Sequence, residues 1–288
     1  MKIYINGKFY PEDEAKVSVF DHGYLYGDGI YETLRAYGGT VFKLDEHLER
    51  LRNSARLMEL KLPLDDPKVA KAVYDTLAEN SLTDAYIRIT VSRGPGEIGL
   101  DPALCPEPTV VIFAKPFKDY PPEMYEKGIK VSVCRTRRNH PECLDPAIKS
   151  TNFLNNIFAK VEAKKAGAVE GIMLNHSGDV AEGTVSNVFM VKEGELLTPP
   201  AIAGILEGVT RSVVMSLAEG LGIPVYEEPF NEVRMWQADE VFITNTTMEV
   251  MPVTGVDEHV VAGGAPGEVT KRLRAAFREE VRRCSKTR

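Results

Sequence analysis

The chain of 288 residues is long enough for one large domain or two medium ones, with a substantial core. Hydrophobic residues make up 43% and charged residues 27% of it, which excludes a largely disordered or collagen-like protein. The net charge of -7 argues against a nucleic-acid-binding protein. Apolar runs fall short of the roughly 20 residues of a membrane span, and no signal peptide is recognisable. We therefore expect a cytoplasmic protein without membrane or nucleic-acid partners.

The N-terminal part predicts strands, two helices and a glycine-rich segment at 21–29. Strands are expected at 2–6, 16–20, 30–37, 85–92 and 108–115. The first helix is expected over 44–60, because an apolar stripe recurs every three or four residues at Leu44, Leu48, Leu51, Ala55 and Met58.

A second helix is expected over 67–80, with Asp66 as its N-cap and Pro67 at its first position. Prolines cluster at 115–122, which indicates a linker. We expect a small N-terminal domain over 1–115, a linker over 116–125 and a larger C-terminal domain over 126–288.

The C-terminal part mixes strands and helices without a regular βαβ repeat, which favours an α+β fold. Strands are expected at 129–134, 171–174, 180–191, 195–198 and 240–244. Helices are expected at 151–165, 210–219 and 267–283. The four cysteines, Cys105, Cys134, Cys143 and Cys284, form no C-x-x-C pair, so we expect free thiols and no metal site.

Two charged residues stand in apolar surroundings. Lys149 ends a short extended segment directly before a predicted helix, where a partly desolvated amine can form a Schiff base. An ordinary surface lysine is the alternative. Glu182 lies in a predicted strand of apolar and small residues, and a buried carboxylate needs a partner. A protonated ring nitrogen or a structural arginine would serve.

Further candidates can bind anions. Gly208 precedes a predicted helix whose first residues, Val209 and Thr210, could offer backbone amides to a phosphate. The polar cluster at 244–247 ends a predicted strand and could do the same.

Arg50 flanks the apolar stripe of the first helix, and Arg88 is a cation in an apolar strand. His47, on the same helix as Arg50, is expected to be a satisfied helix histidine. Nucleotide-binding glycine motifs and the G-x-S-x-G motif are absent from the sequence.

Together these motifs resemble those of the class IV (fold type IV) aminotransferases, which use pyridoxal 5'-phosphate. The resemblance covers nearly the whole chain. Its motifs follow in order at 3–7, 21–29, 47–51, 148–150, 182–183, 186–189, 208–211 and 240–242. It implies a fold type IV protein with a small N-terminal α/β domain, a larger C-terminal domain with a barrel-like β core, and a homodimer or higher homo-oligomer.

The resemblance also implies roles for the candidate residues. Lys149 would form the Schiff base, and Glu182 would pair with the pyridine nitrogen. Four groups would bind the cofactor phosphate: the Arg50 side chain, backbone groups at Val209 and Thr210, and the Thr246 hydroxyl.

Among class IV enzymes, the sequence most resembles the branched-chain aminotransferases, which transfer amino groups between leucine, isoleucine or valine and 2-oxoglutarate. Tyr86 and amides at Thr246 and Thr247 would meet the substrate carboxylate, and Arg88 would receive a second carboxylate. The side-chain pocket would be formed by Tyr31 and, from a neighbouring subunit, Tyr26 and Leu100. A D-amino-acid or amine aminotransferase, or aminodeoxychorismate lyase, of the same fold is the alternative.

Overall fold

The computed structural model describes residues Met1–Lys286. Within that range it has eight α-helices, at His22–Tyr26 (α1), Leu44–Leu57 (α2), Asp66–Glu79 (α3), Pro122–Lys127 (α4), Leu154–Lys165 (α5), Val209–Gly220 (α6), Glu232–Trp236 (α7) and Glu268–Lys286 (α8). None of these helices is long and apolar enough to cross a membrane.

The strands fall into two groups along the chain. The first six are Lys2–Ile5 (β1), Lys8–Pro11 (β2), Gly29–Tyr37 (β3), Thr40–Val41 (β4), Ala85–Ser92 (β5) and Thr109–Pro116 (β6). The others are Ile129–Val133 (β7), Glu170–Leu174 (β8), Val180–Gly183 (β9), Asn187–Lys192 (β10), Glu195–Thr198 (β11), Val225–Glu227 (β12), Glu240–Asn245 (β13), Glu249–Val256 (β14) and His259–Val260 (β15).

The described chain divides into two compact units. The first comprises Met1–Lys118, Ile148–Asn152 and the end of α8 from Arg283, and the second comprises Asp119–Ala147 and Phe153–Arg282. Residues 148–152 thus belong to the first unit, although the sequence-based domain boundaries place them in the second. Those boundaries stay a prediction.

An antiparallel six-stranded sheet, in the order β2-β1-β6-β5-β3-β4, forms the first unit. Strand β5 alternates between buried apolar residues, such as Ile87 and Ile89, and half-exposed ones, such as Tyr86 and Arg88. The buried side faces a core shared with α2 and α3. The other side therefore leaves a row of polar and aromatic side chains for the candidate site.

Most predicted elements of the first unit are confirmed, with local corrections. Helix α2 ends at Leu57 rather than at residue 60, since Glu59 adopts a left-handed φ of 49°. Asp65, not Asp66, caps α3 by accepting a hydrogen bond from the Lys68 amide. No strand forms at 16–20. The glycine-rich segment contains the short helix α1, which Asp21 caps through the Gly23 amide.

The second unit is built on a mixed sheet in the order β12-β11-β10-β13-β14-β7-β8-β9, with β15 paired to β14. Strands β9 and β10 lie far apart in this order, yet only three residues connect them, and the Gly183 amide bonds to the Ser186 carbonyl across the turn. The sheet must therefore curl back on itself, which gives the barrel-like core that was predicted.

Two predictions for the second unit are wrong in detail. The strand expected over 180–191 is interrupted at 184–186, and the helix expected from 151 starts at Leu154 because residues 149–151 pair with β3 instead. Strand β14 was not predicted, since Pro252 and Gly255 are poor strand formers. Its pairing with β7 starts only at Val253, so Pro252 need not donate a hydrogen bond on that side.

Candidate active site

Lys149 is held against β3 in the first unit. Its carbonyl accepts a hydrogen bond from the Tyr31 amide at 2.9 Å, and its amide donates to Ser54 Oγ at 3.1 Å. The ammonium group lies 4.5 Å from the centre of the Tyr31 ring. The backbone on both sides of the side chain is therefore fixed, and the amine lies beside an aromatic ring rather than in open solvent.

Arg50 belongs to a buried ionic cluster with Glu32 and His47. Its Nε and Nη2 atoms each donate to one oxygen of Glu32 at 2.8 Å, and His47 Nδ1 lies 2.8 Å from Glu32 Oε2. Glu32 is fully buried on the core side of β3, whereas Arg50 and His47 lie one turn apart on α2. The prediction that His47 is a satisfied helix histidine is confirmed.

Charges in this cluster are set by burial and pairing. Burial alone would raise the pKa of Glu32, but Arg50 and His47 outweigh it and hold that pKa well below its ordinary range. Burial lowers the pKa of His47, with Glu32 opposing the shift and Arg50 and Lys149 adding to it. Because the ionised Glu32 can only accept, His47 donates through Nδ1.

Three predicted substrate residues share the outer face of the first sheet. Arg88 Cζ lies 4.0 Å from the centre of the Tyr31 ring, and Arg88 Nε donates to Thr90 Oγ1 at 3.2 Å. Burial raises the pKa of Tyr31 despite the nearby Arg88, so its phenol stays neutral. Tyr86 follows along the same face and packs near Phe113. Arg88 has no ion pair among residues 1–286.

Tyr26 lies on α1, next to the loop that contains Leu100. The Gly99 amide donates to the Tyr26 hydroxyl at 3.3 Å, which brings the 98–100 loop onto α1. The Leu100 side chain is 83% exposed. An apolar residue this exposed is available to a further protein surface.

In the second unit, Glu182 is buried and already paired. Its Oε1 accepts from Arg138 Nε at 2.7 Å and its Oε2 from the Leu206 amide at 2.9 Å. The structural arginine considered from the sequence is thus present.

The start of α6 is linked to Glu182 through the same peptide segment. Asn187 Nδ2 donates to the Leu206 carbonyl at 2.8 Å, and a Cβ on Gly208 would clash with Asn187 Oδ1. Glycine therefore fits at this N-cap without displacing the Asn187 side chain, and it offers no side chain to the first amides of the helix. The amides of Val209 and Thr210 therefore begin a helix without a capping oxygen.

Thr246 and Thr247 lie in the turn between β13 and β14. Asn245 Oδ1 accepts from the Thr247 amide at 2.9 Å and from the Met248 amide at 2.7 Å. Hence, within residues 1–286, the Thr247 amide has an internal partner, whereas neither the amide nor the hydroxyl of Thr246 does.

The groups present fit a pyridoxal phosphate cofactor by their chemistry. The first unit supplies an amine at Lys149 and a guanidinium at Arg50, and the second supplies a carboxylate at Glu182 and an uncapped helix start. One more observation supports an acceptor near that helix start. The buried Thr244 hydroxyl has no partner within the described chain and lies directly across the sheet from Asn187. An anion would satisfy such donors.

Sequence reasoning missed Glu32, Arg138 and Asn187. A signal for Glu32 existed, because a carboxylate at a core position of a strand demands a cation. Arg138 stands in a run with Arg135 and Arg137, and nothing in their spacing marks one of the three. No cluster of three or more metal-binding side chains was found among residues 1–286.

The family model for class IV amino-transferases matches residues 29–256. The chain therefore belongs to the class IV aminotransferase family, and it shares the fold type IV architecture of that family's solved structures.

Two similar proteins of this family have different names. The chain is 47% identical over 279 residues to a Methanocaldococcus jannaschii protein provisionally named a branched-chain-amino-acid aminotransferase, which spans 97% of this chain and 96% of that one. It is 38% identical over 282 residues to the D-alanine aminotransferase of Staphylococcus epidermidis, spanning 97% and 98%.

Solved structures agree on the fold. The Escherichia coli branched-chain amino acid aminotransferase superimposes with a TM-score of 0.93 at 35% identity, covering 96% of this chain and 93% of that one. The branched-chain aminotransferase of the thermophilic archaeon Thermoproteus uzoniensis, solved with norvaline, gives a TM-score of 0.91 at 36% identity, covering 98% and 94%.

Replacing Glu32 tests whether the buried cluster holds the first unit together. Glu32→Gln leaves the Arg50 guanidinium without its counter-charge, which should lower the free energy of unfolding by about 3 kcal/mol. Denaturant unfolding monitored by circular dichroism measures this. Glu46→Gln, which removes a partly exposed pair between α2 and its N-cap residue Lys43, should cost less than about 1 kcal/mol.

The same pair of proteins should differ in pH dependence. The pKa of Glu32 is lower in the folded protein than in the unfolded chain. The ionised carboxylate therefore contributes its full share of the folding free energy above about pH 5, and this share is lost as the pH falls towards the pKa of the folded protein. Wild-type protein should therefore lose stability more steeply than Glu32→Gln between pH 5 and pH 3. Parallel curves would contradict the assignment of charge to Glu32.

Proposed function

We propose that this chain is a pyridoxal-5'-phosphate-dependent aminotransferase acting on leucine, isoleucine and valine with 2-oxoglutarate. Membership of the class IV family and the likeness to branched-chain aminotransferases support the reaction and the substrate class. The observation that carries the choice of co-substrate is Arg88. It is a half-buried guanidinium beside Tyr31, without an ion pair in the described chain.

A dicarboxylate co-substrate needs such a cation. Leucine and 2-oxoglutarate must use the same site in turn, and a second carboxylate left unpaired among aromatic side chains would be costly. Arg88 has one bond to Thr90 and further N–H donors for a carboxylate. Tyr31 and Tyr86 supply the apolar surface for an aliphatic side chain.

Cofactor-binding residues are proposed on each unit. Lys149 and Arg50 belong to the first unit, and Glu182, Val209, Thr210 and Thr246 to the second. When bound, pyridoxal phosphate supplies an electron-accepting ring that stabilises negative charge at the substrate Cα.

The chain's own residues hold and move protons. Lys149 Nζ takes the proton from the substrate Cα as general base. Glu182, fixed by Arg138 and the Leu206 amide, presents a carboxylate that favours a protonated ring nitrogen. Glu32 holds Arg50 in one orientation, so that the guanidinium meets phosphate without first ordering its side chain.

D-Alanine transamination is the second candidate. The D-alanine aminotransferase of Staphylococcus epidermidis is 38% identical to this chain, so overall identity separates the two reactions only modestly. The chemistry proposed for Lys149 is common to both, whereas the stereochemistry of the substrate differs.

We also propose that the protein is a homodimer. Its proposed location, the cytoplasm, rests only on the sequence. In the second unit, α5 exposes Leu154, Ile157, Phe158 and Val161 on one stripe. In the first unit, Tyr24, Ile98 and Leu100 form an exposed apolar surface around the Tyr26–Gly99 hydrogen bond. Apolar surfaces of this kind are typical of subunit contacts.

The first prediction of this function concerns Lys149. Borohydride treatment of the cofactor-loaded protein should leave a phosphopyridoxyl label on Lys149, detected by peptide mass spectrometry. Lys149→Ala should abolish both label and activity, while Lys165→Ala should change neither, since Lys165 is an exposed residue at the end of α5. A label on another lysine would show that Lys149 is structural.

The second prediction concerns the substrate. Leucine carries three more carbons than alanine, each worth about 0.8 kcal/mol in an apolar pocket. L-Leucine should therefore exceed L-alanine by roughly 50-fold in kcat/KM with 2-oxoglutarate. Faster turnover of D-alanine than of L-leucine would establish the alternative function.

In the same assay, Arg88→Ala should raise the KM for 2-oxoglutarate by roughly 10- to 100-fold, because a charged hydrogen bond contributes about 1.5–3 kcal/mol. The half-reaction with leucine should change much less. Arg56→Ala, an exposed cation on α2, is the matched control. Equal losses for both substrates would mean that Arg88 shapes the pocket rather than binding the carboxylate.

The third prediction concerns the dimer. Phe158→Asp places a charge within the apolar stripe of α5 and should give monomers in sedimentation or light-scattering measurements. Val260→Asp, on an equally apolar and exposed position of β15, should leave the mass unchanged. A wild-type monomer would refute the proposed homodimer.

A further inference from the structure

Helix α8 carries a row of cations that the proposed reaction does not use. Lys271, Arg274, Arg278 and Arg282 follow at spacings of three and four residues, so they share one face of the helix. With Tyr125 of α4 and Pro252 of β14 they line a cavity of about 330 Å³ in the second unit. This volume is at the lower end of the range for small-molecule sites, roughly 300–1,000 Å³.

Only half of this row is neutralised. Arg278 pairs with the buried Glu249, and Arg282 pairs with Glu279 at 3.0 Å. Lys271 and Arg274 have no ion pair anywhere in residues 1–286. The cavity therefore keeps a local excess of positive charge. Like charges at this spacing on a helix repel one another, which is unfavourable unless an anion binds.

Arg274 shows the clearest unmet need. Its guanidinium stacks 4.1 Å above the Tyr125 ring, and its Nε is shielded from solvent without any hydrogen-bond acceptor in the described chain. A buried donor without a partner is costly. Burial and the neighbouring Arg278 lower the pKa of Arg274, while Tyr125, Glu249 and Glu126 oppose that shift.

The helix itself does not explain these two cations. Positive side chains are stabilised near the C-terminal end of a helix, whereas Lys271 and Arg274 lie in the first two turns of α8. Two N-terminal amides of α8 already have an anionic partner, because the Glu240 carboxylate accepts from Val269 and Thr270. The Glu240 carboxylate is therefore engaged by the helix amides, and it does not neutralise Arg274.

We propose that this cavity binds a small oxyanion, through a phosphate or carboxylate group held by Arg274 and Lys271. A guanidinium binds either group with paired N–H···O bonds, and the Tyr125 ring and Pro252 provide an apolar wall for the rest of the ligand. This site is independent of the proposed transamination, since none of its residues belongs to the candidate active site.

The test is calorimetric titration of the cofactor-loaded protein with inorganic phosphate and, separately, with succinate. Sodium chloride keeps the ionic strength constant, because exposed charges are screened by salt. We expect at least one probe to bind the wild-type protein, and Arg274→Ala to weaken that binding at least tenfold. Lys271→Met should weaken it as well.

Arg272→Ala is the matched control, because Arg272 is a cation on the same helix outside the cavity. Arg278 is left intact, since its removal would strand the buried Glu249. If Arg274→Ala weakens the binding of phosphate but not of succinate, the cavity is a phosphate site. If it weakens the binding of succinate but not of phosphate, the cavity is a carboxylate site. Unchanged binding in Arg274→Ala, or an equal loss in Arg272→Ala, would overturn the proposal.

Discussion

The burial of one carboxylate governs the first unit. Glu32 lies on the core side of β3 with no exposed surface, and an unpaired charge there would not be tolerated. Arg50 and His47, one turn apart on α2, both reach it, which fixes the rotation of that helix over the sheet. The same helix supplies Ser54, which binds the Lys149 amide. Thus the pairing that makes the fold possible also sets the positions of Arg50 and Lys149.

A second buried carboxylate plays a comparable part in the second unit. Glu182 joins Arg138 to the Leu206 peptide, and the carbonyl of that peptide is held by Asn187. With its side chain in this position, Asn187 leaves no room for a Cβ on Gly208 at the start of α6. The proposed acceptor for the ring nitrogen and the proposed phosphate-binding amides are therefore connected by one chain of hydrogen bonds. A change at any member would disturb both.

Local patterns in the sequence predicted much of this fold. The stripe from Leu44 to Met58 predicted α2, since every member of it faces the core or its edge. The cap of α3 was misplaced by one residue because Asp65 and Asp66 are chemically equivalent caps. Strand β14 was missed because its partners, not its own residues, stabilise it.

In the candidate site, too, residues in local motifs could be predicted and long-range pairings could not. Lys149, Arg50 and Glu182 could be singled out because each stands in a short motif. Which residues pair with them could not be predicted, since Glu32 is 18 residues from Arg50 and Arg138 is 44 residues from Glu182. Pairings over such distances depend on strand register and helix rotation, which no local pattern specifies. The resemblance supplied roles for the residues in motifs, whereas the structure supplied the groups that hold them.

Charge pairing separates Arg50 and Glu182, which are proposed for the cofactor, from Arg88, which is proposed for the substrate. Arg50 and Glu182 are fixed by charged partners within their own units, so their orientation is established when the chain folds. Arg88 has no carboxylate partner in the described chain. A cofactor that stays bound benefits from rigid ligands. A site that must accept leucine and then 2-oxoglutarate benefits from groups whose bonding capacity is still open, because each substrate can then fill it in turn.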